Sequence, residues 1–346
     1  MVWSATTKPN VSNRNWPKPN YTEQLAGSRS APGRERIISP MTLVSTDRSV
    51  RALLKQGMDQ LRAANVSSHA LAAELLFLHA TSQNRTWLYS HPEEILPGPV
   101  AEAYFGLLAR RASGVPTQHL TGKQEFWGLE FGVTPDVLIP RPETEHLIEV
   151  ALDRLGVREI RAGRQPRLNG ENVTLVDIGT GSGCIAIALA KELSAAAVYA
   201  TDISKPALEV ARRNATRHGL TDRIEVLESD LLAAFQCCAQ TQQVNFDLII
   251  SNPPYISLRE ADSLPIEVFE HEPRAALFGG LEGYELYGTL IPQAAKYLKP
   301  SGLLILELGY NSLSDVAPLL DRSNWTNIAI TKDLAGIPRV ISAERV

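Results

Sequence analysis

The run Val176-Asp177-Ile178-Gly179-Thr180-Gly181-Ser182-Gly183 leaves a short apolar strand and enters a helix predicted over 184–192. Strand, glycine loop and helix in that order open one unit of a parallel α/β sheet, and such sheets bind ligands in the crevice beyond the carboxyl ends of their strands. Glycines let the backbone turn tightly and approach a ligand closely. Taken alone, the loop also fits a bare tight turn or a dinucleotide site. The G-x-G-x-x-G spacing, however, requires glycine at the position of Cys184, so NAD is disfavoured, and no P-loop lysine follows.

Downstream of Arg167, short apolar segments alternate with amphipathic ones, the pattern of a mostly parallel sheet covered on both faces. Strands are predicted at 173–178, 197–202, 224–228, 246–251, 303–308, 326–331 and 340–343. The fold class is therefore α/β, a Rossmann-like sheet.

Upstream, Val50, Leu53, Leu54, Met58 and Leu61 follow the helical period, with Thr46 or Asp47 as the expected cap. A second helix is expected after Ser67 or Ser68 and a third from Pro99 to just before Gly114. Residues 41–115 read as a small helical bundle. Between 118 and 140 the period becomes two, through Leu129, Phe131 and Val133, and Thr134-Pro135-Asp136 carries turn chemistry. A β-hairpin linker is expected over 116–140, and the α/β domain over 141–346. Residues 1–40, rich in Asn, Ser, Pro, Lys and Arg, bury too little apolar surface to order themselves and are expected to be a disordered extension. Three readings compete for them: an inert tail, sequence upstream of a true start at Met41, and an organellar transit peptide.

The second strand ends in Thr201-Asp202, about twenty residues past the glycines, where a carboxylate can accept hydrogen bonds from both ribose hydroxyls of an adenosine. A plain helix-start role is the alternative for Asp202, since Ser204-Lys205-Pro206 follows. The third strand ends in Ser229-Asp230-Leu231, with Asp230 expected to accept the adenine amino group and Leu231 to pack beside the ring. Three acidic side chains, Asp177, Asp202 and Asp230, suit a cationic sulfonium cofactor better than a polyphosphate.

The fourth strand runs into Asn252-Pro253-Pro254-Tyr255. A planar NH2 group offers two N–H donors, which the Asn252 carboxamide oxygen and the Pro253 carbonyl can accept, with Asn252 also bordering the cofactor. The two prolines, Pro253 and Pro254, stiffen the loop, and Tyr255 is placed to cover the planar group. A polar turn that closes a strand is the plainer reading. It weakens because the tetrapeptide follows a glycine loop and two acidic strand ends.

Bulk properties exclude several classes. The 346 residues, 44% apolar and 21% charged, suffice for a large α/β domain with a smaller companion. No apolar run approaches the roughly 18 residues of a membrane helix. A net charge of −4 argues against holding nucleic acid mainly through its phosphates. The three cysteines, two of them adjacent at Cys237 and Cys238, form neither a disulfide framework nor a CxxC motif. The seven histidines include no HExxH, so no metal site is expected, and His79 and His218 read as surface or capping residues. A reducing, cytoplasmic setting follows, with import into an organelle if 1–40 is a transit peptide.

Longer blocks narrow the class. Gly114-Val115-Pro116, Leu120-Thr121-Gly122, Glu125-Phe126-Trp127-Gly128-Leu129 and Val137-Leu138-Ile139-Pro140-Arg141-Pro142-Glu143-Thr144-Glu145 lead up to the glycine loop. Glu272-Pro273-Arg274-Ala275-Ala276-Leu277-Phe278-Gly279-Gly280 and Asp333-Leu334-Ala335-Gly336-Ile337-Pro338-Arg339 follow the tetrapeptide. Over roughly 45–346 the chain resembles the peptide-chain release factor glutamine N5-methyltransferases, the HemK/PrmC family. It departs from the family at His119, where tyrosine is usual, at Glu282, where aspartate is usual, and in a longer loop over 236–244.

The resemblance implies S-adenosylmethionine as cofactor, a release factor as protein substrate, the helical bundle as its docking domain, and transfer to the glutamine of a GGQ motif. It also implies that residues 141–145 line or brace the pocket, for which a rigid inter-domain elbow is the alternative. Two competitors remain: an N6-adenine or N4-cytosine nucleic-acid methyltransferase, which would use the same tetrapeptide on an extruded base, and a catalytically silent cofactor-binding scaffold. Neither a membrane nor sequence-specific nucleic acid is expected as a partner.

Overall fold

A computed structural model describes residues 47–157, 173–236 and 244–346. The expected disordered extension, the start at Met41 and most of the enlarged loop lie outside the described residues.

Five helices come first: α1 (Val50–Ala63), α2 (His69–Thr81), α3 (Arg85–Ser90), α4 (Gly98–Ala112) and α5 (Thr117–Thr121). The cap of α1 corrects the expectation. Ser49 Oγ accepts from Ala52 N at 3.3 Å, and Asp47 sits one step earlier, accepting from Ser49 N at 2.8 Å. Helix α3 was not anticipated because six residues are too few for a periodic pattern. It is fixed instead by Asn84, whose Oδ1 accepts from Trp87 N at 2.8 Å. Leu53, Leu61, Leu76, Phe77, Tyr104 and Leu108 form the shared core of the helices. Gly57 lies under the Tyr104 ring, where a Cβ would collide with the phenol oxygen, so a residue weak in helix propensity is the one that permits α1 and α4 to close.

Strands β1 (Lys123–Phe126) and β2 (Leu129–Gly132) form the expected hairpin, Phe126 pairing with Leu129. Its two turn residues, Trp127 and Gly128, have φ of +54° and +67°, the left-handed pair that matches strand twist. Trp127 is held there by both of its N–H groups, which donate to Glu145 Oε1 at 2.8 Å and Glu192 Oε1 at 2.9 Å.

A 3-10 turn at Pro142–Thr144 leads into α6 (Glu145–Arg154). There follow β3 (Thr174–Ile178), α7 (Cys184–Glu192), β4 (Ala197–Asp202), α8 (Lys205–Arg217), β5 (Ile224–Glu228) and β6 (Phe246–Ser251). Strands β7 (Ile256–Ser257) and β8 (Phe278–Gly280) pair with each other around an insert that holds α9 (Ile266–Phe269) and α10 (Arg274–Leu277). Then come α11 (Glu285–Tyr297), β9 (Leu298–Glu307), α12 (Leu313–Val316), β10 (Trp325–Lys332) and β11 (Pro338–Arg345). The main sheet has the order β10-β11-β9-β6-β3-β4-β5, parallel from β9 to β5 and antiparallel where β11 joins. Side chains alternate between two cores: Leu303 and Ile305 face one layer, Leu304 and Leu306 the other. Strand β9 begins at Leu298, five residues before the predicted start, because Leu298 pairs with Phe246 across an irregularity that the apolar pattern does not reveal.

The register is what assembles the site. Ile178 pairs with Thr201 on one side and Ser251 on the other, and Ser251 pairs with Leu306. Gly179, Asp202, Asn252 and Glu307 are each the next residue beyond that row, on four adjacent strands.

Candidate active site

The loop between β3 and α7 is built by three glycines in the left-handed region: Gly179, Gly181 and Gly183 at φ +71°, +54° and +82°. A Cβ on Gly183 would press against Ile187 and Ala211, so this glycine lets α7 and α8 approach. Gly179 and Gly181 face open space, a backbone cradle that side chains would fill. Thr180 and Ser182, between them, are buried. Thr180 Oγ1 donates to Asp177 Oδ2 at 2.6 Å, inside the sheet. Burial lifts the Asp177 carboxyl to about 7, against the stabilising hydroxyl of Thr180.

Asp202 anchors this loop. Its Oδ2 accepts from Gly181 N at 2.9 Å and its Oδ1 from Ser204 N at 2.9 Å. The cap of α8 is Ser204, whose side chain accepts from Ala207 N. Burial raises the Asp202 pKa, and the backbone N–H groups of Ser204, Gly181 and Ile203 counter the rise. Ile203, the next residue, is 59% exposed, an apolar side chain at the crevice that the sequence reading did not mark. The end of β5 is tied to the same place, since Ser229 N donates to the Asp202 carbonyl at 3.0 Å. Asp230 is exposed, and Leu231, at φ +52°, is half-buried against the core beneath the crevice.

Asn252 follows β6 directly. Its Nδ2 donates to Thr144 Oγ1 at 3.1 Å. Pro253 is buried, while Pro254 and Tyr255 are half-buried. The loop is gripped by glycines at close approach: a Cβ on Gly283 would lie 2.5 Å from the Tyr255 carbonyl, and one on Gly309 would lie 2.8 Å from the Tyr255 ring. Tyr255 OH donates to Glu307 Oε1 at 3.3 Å.

Two family models match the chain, "PrmC N-terminal domain" at residues 52–122 and "Methyltransferase small domain" at 166–280. A release factor glutamine methyltransferase of Koribacter versatilis is 42% identical over 292 residues, covering 83% of this chain and 97% of the relative. One from Bradyrhizobium diazoefficiens is 38% identical over 312 residues, covering 90% and 98%. The chain belongs to the release factor glutamine methyltransferase family. Among solved structures, a ribosomal protein L11 methylase from Lactobacillus delbrueckii subsp. bulgaricus is 25% identical with a TM-score of 0.40, covering 59% of this chain and 80% of that one. A human methyltransferase 10 domain containing protein is 19% identical with a TM-score of 0.46, covering 69% and 96%.

In this methyltransferase the segment 141–145 divides its labour. Arg141 pairs with the buried Glu272, Thr144 touches Asn252, and Glu145 holds the hairpin turn. Arg141 and Glu145 thus brace the elbow, while Thr144 contacts the tetrapeptide. Glu307, which falls inside the strand expected over 303–308 and carries no signal there, is 1% exposed; burial lifts its carboxyl to about 7, while the hydroxyls of Thr144 and Tyr255 favour its charged form. The family-atypical His119 has both ring nitrogens buried without a partner, and burial, then His271 and Arg141, hold its pKa low. The other atypical residue, Glu282, forms an exposed ion pair with Arg259 at 2.5 Å. Among the described residues there is no group of three or more His, Cys, Asp and Glu placed to hold a metal, and no helix is long and apolar enough to cross a membrane.

Proposed function

We propose that this methyltransferase transfers a methyl group from S-adenosylmethionine to the side-chain nitrogen of a glutamine in the GGQ motif of a peptide-chain release factor. The observation that carries the reading is the common level of Gly179, Asp202 and Asn252, each one residue beyond the paired row Ile178, Thr201 and Ser251. An adenosine-bearing cofactor fits this end of the sheet. The open cradle of Gly179 and Gly181, with Thr180, Ser182 and Gly183 shaping the loop, takes its amino-acid end; Asp202 faces the ribose, and Asp230 and Leu231 the adenine. The bound cofactor supplies an electrophilic methyl on a cationic sulfur.

The chain's own residues supply position. An amide nitrogen is a weak nucleophile, so orientation and hydrogen bonds that strengthen in the transition state carry much of the rate. Asn252 Oδ1 and the Pro253 carbonyl accept the two N–H groups of the glutamine and turn its nitrogen lone pair toward the methyl. Pro254 stiffens the loop, and Tyr255 covers the planar group. As the N–C bond forms and the C–S bond breaks, the sulfur would leave as the neutral thioether S-adenosylhomocysteine and the nitrogen would release one proton to water, giving N5-methylglutamine. The helical region docks the protein substrate. The same reading puts the chain where translation terminates, in the cytoplasm or an organelle.

The test is mass spectrometry of a purified release factor, and of its glutamine-substituted form, after incubation with this protein and S-adenosylmethionine. A single methyl at the GGQ glutamine, absent from the substituted factor, is expected. An unmodified factor alongside methylated nucleic acid would overturn the reading. Asn252→Ala is expected to lower turnover by about 10²- to 10³-fold, the scale of losing one transition-state hydrogen bond.

A further inference from the structure

Glu307 presents an anomaly. It is buried beside the proposed pocket, Oε2 has no hydrogen bond of good geometry, and no ion pair to its carboxylate is present among the described residues. The nearby cation, Arg339, is committed to Asp333 at 2.9 Å. A buried carboxylate without a cation is destabilising, so its presence calls for an explanation.

Its neighbours supply one. Thr144 has a single hydroxyl proton, and that hydroxyl serves two neighbours: it accepts from Asn252 Nδ2 at 3.1 Å, and it lies close enough to Glu307 to favour the charged form of that carboxyl. A carboxylate only accepts hydrogen bonds. It therefore draws the Thr144 proton, which leaves the threonine oxygen able only to accept, and only the NH2 end of the Asn252 carboxamide can satisfy it. We propose that Thr144 and Glu307 are positioning residues that set the polarity of the Asn252 carboxamide, NH2 toward threonine and carbonyl toward the substrate nitrogen. The two ends of a carboxamide have nearly the same shape, so packing alone does not choose between them, and the reversed amide would present a donor to a donor. The inference deepens the glutamine methylation proposed above and rests on it for its kinetic consequence. The amide orientation itself is measurable without any substrate.

The experiment pairs a substrate-free readout with a kinetic one. In 15N-asparagine-labelled protein saturated with S-adenosylhomocysteine, the Asn252 side-chain NH2 protons, assigned by loss in Asn252→Asp, should be shifted and slow to exchange. That signature should vanish in Thr144→Val and persist in Thr144→Ser. If the wild-type release factor assay fails while this pattern holds, the function reading falls and the orientation survives. With an active wild type, Thr144→Val should reduce kcat by about 10- to 100-fold, somewhat less than loss of Asn252 itself, with cofactor affinity within about threefold and Thr144→Ser close to wild type. In an Asn252→Ala background Thr144→Val should cost little more, since it acts through Asn252. Full additivity, an unchanged Asn252 signal in Thr144→Val, or a serine variant as impaired as valine would overturn the proposal.

Discussion

The Arg141 guanidinium closes on the carboxylate of Glu272, 131 residues further along the chain, and the same carboxylate accepts from Ile139 N at 3.2 Å. The pair joins the segment that enters the site to the insert between β7 and β8. The Glu272 side chain is 1% exposed and that of Arg141 34%, so the acid depends on its partner more than the base does. Arg141→Ala is therefore expected to cost about 3 kcal/mol, the low end for stranding a buried charge, and Glu272→Gln distinctly less. Urea unfolding of both variants checks the order.

Glu307 predicts a pH dependence. Burial raises its carboxyl from 4.5 to about 7 in the folded chain. Between those values the folded state holds a proton that the unfolded state has released, so this residue's contribution to stability is full below about pH 4.5 and is lost as pH rises through 7. The unfolding free energy of Glu307→Gln relative to wild type should gain about 3 kcal/mol on going from the lower to the upper end of that window. Asp177, also near 7, is present in both proteins and cancels in the difference.

If the charged form of Glu307 orients Asn252, kcat should rise through about pH 7. Tyr255, Tyr287, Arg339 and Glu143 face or surround this carboxylate. Tyr255, Tyr287 and Arg339, whose pKa values are all raised, do not titrate in that step. The inflection should be absent from Glu307→Gln and retained in Asp177→Asn; the opposite result would assign it to Asp177.

Two of the loop glycines, Gly181 and Gly183, should separate stability from binding. Gly183→Ala adds strain at φ +82° to a contact with Ala211, and is expected to destabilise by more than the roughly 1 kcal/mol of a strained φ alone. Gly181→Ala carries the strain of φ +54° but meets no neighbouring atom of the protein. Its main effect is expected in calorimetry with S-adenosylmethionine, as a loss of affinity of about tenfold or more through crowding of the cofactor.

Tyr255 is expected to act through its ring. Among the described residues its hydroxyl hydrogen-bonds Glu307 alone, at 3.3 Å, so Tyr255→Phe should keep the release factor methylation rate within about fivefold, the worth of a weak hydrogen bond. Tyr255→Ala removes the ring over Gly309 and should cost far more. Equal losses in the two variants would move the role from ring to hydroxyl.

Much of this arrangement is legible locally and some of it is not. Gly179, Asp202 and Asn252 announce themselves because each stands at the end of a strand whose apolar pattern is plain in its own neighbourhood, and Gly181 because it continues the glycine loop. Thr144 and Glu307 carry no such signal. Thr144 sits in a proline-bounded elbow and reaches Asn252 across 108 residues, while Glu307 follows the run Leu303-Leu304-Ile305-Leu306 and reads as one more residue of a buried strand over 303–308. The placement of Glu307 comes from the register of β9 against β6, and that of Thr144 from a turn brought to Asn252 from far away in sequence. The cap of α1 was misplaced for a smaller reason of the same kind: Asp47 and Ser49 are both good capping residues, and only the hydrogen bonds show that the aspartate holds the serine and the serine holds the helix.

The Asn252–Thr144 bond also bears on damaged substrate. With its amino end taken by Thr144, Asn252 and the neighbouring Pro253 carbonyl would, in the proposed substrate pose, offer the glutamine acceptors only. A glutamine brings two donors to them, whereas a glutamate, the product of spontaneous deamidation at the same position, brings lone pairs and a negative charge. The contact that readies the amide for methylation would then also inspect it, and a release factor that had lost its amide would leave unmodified.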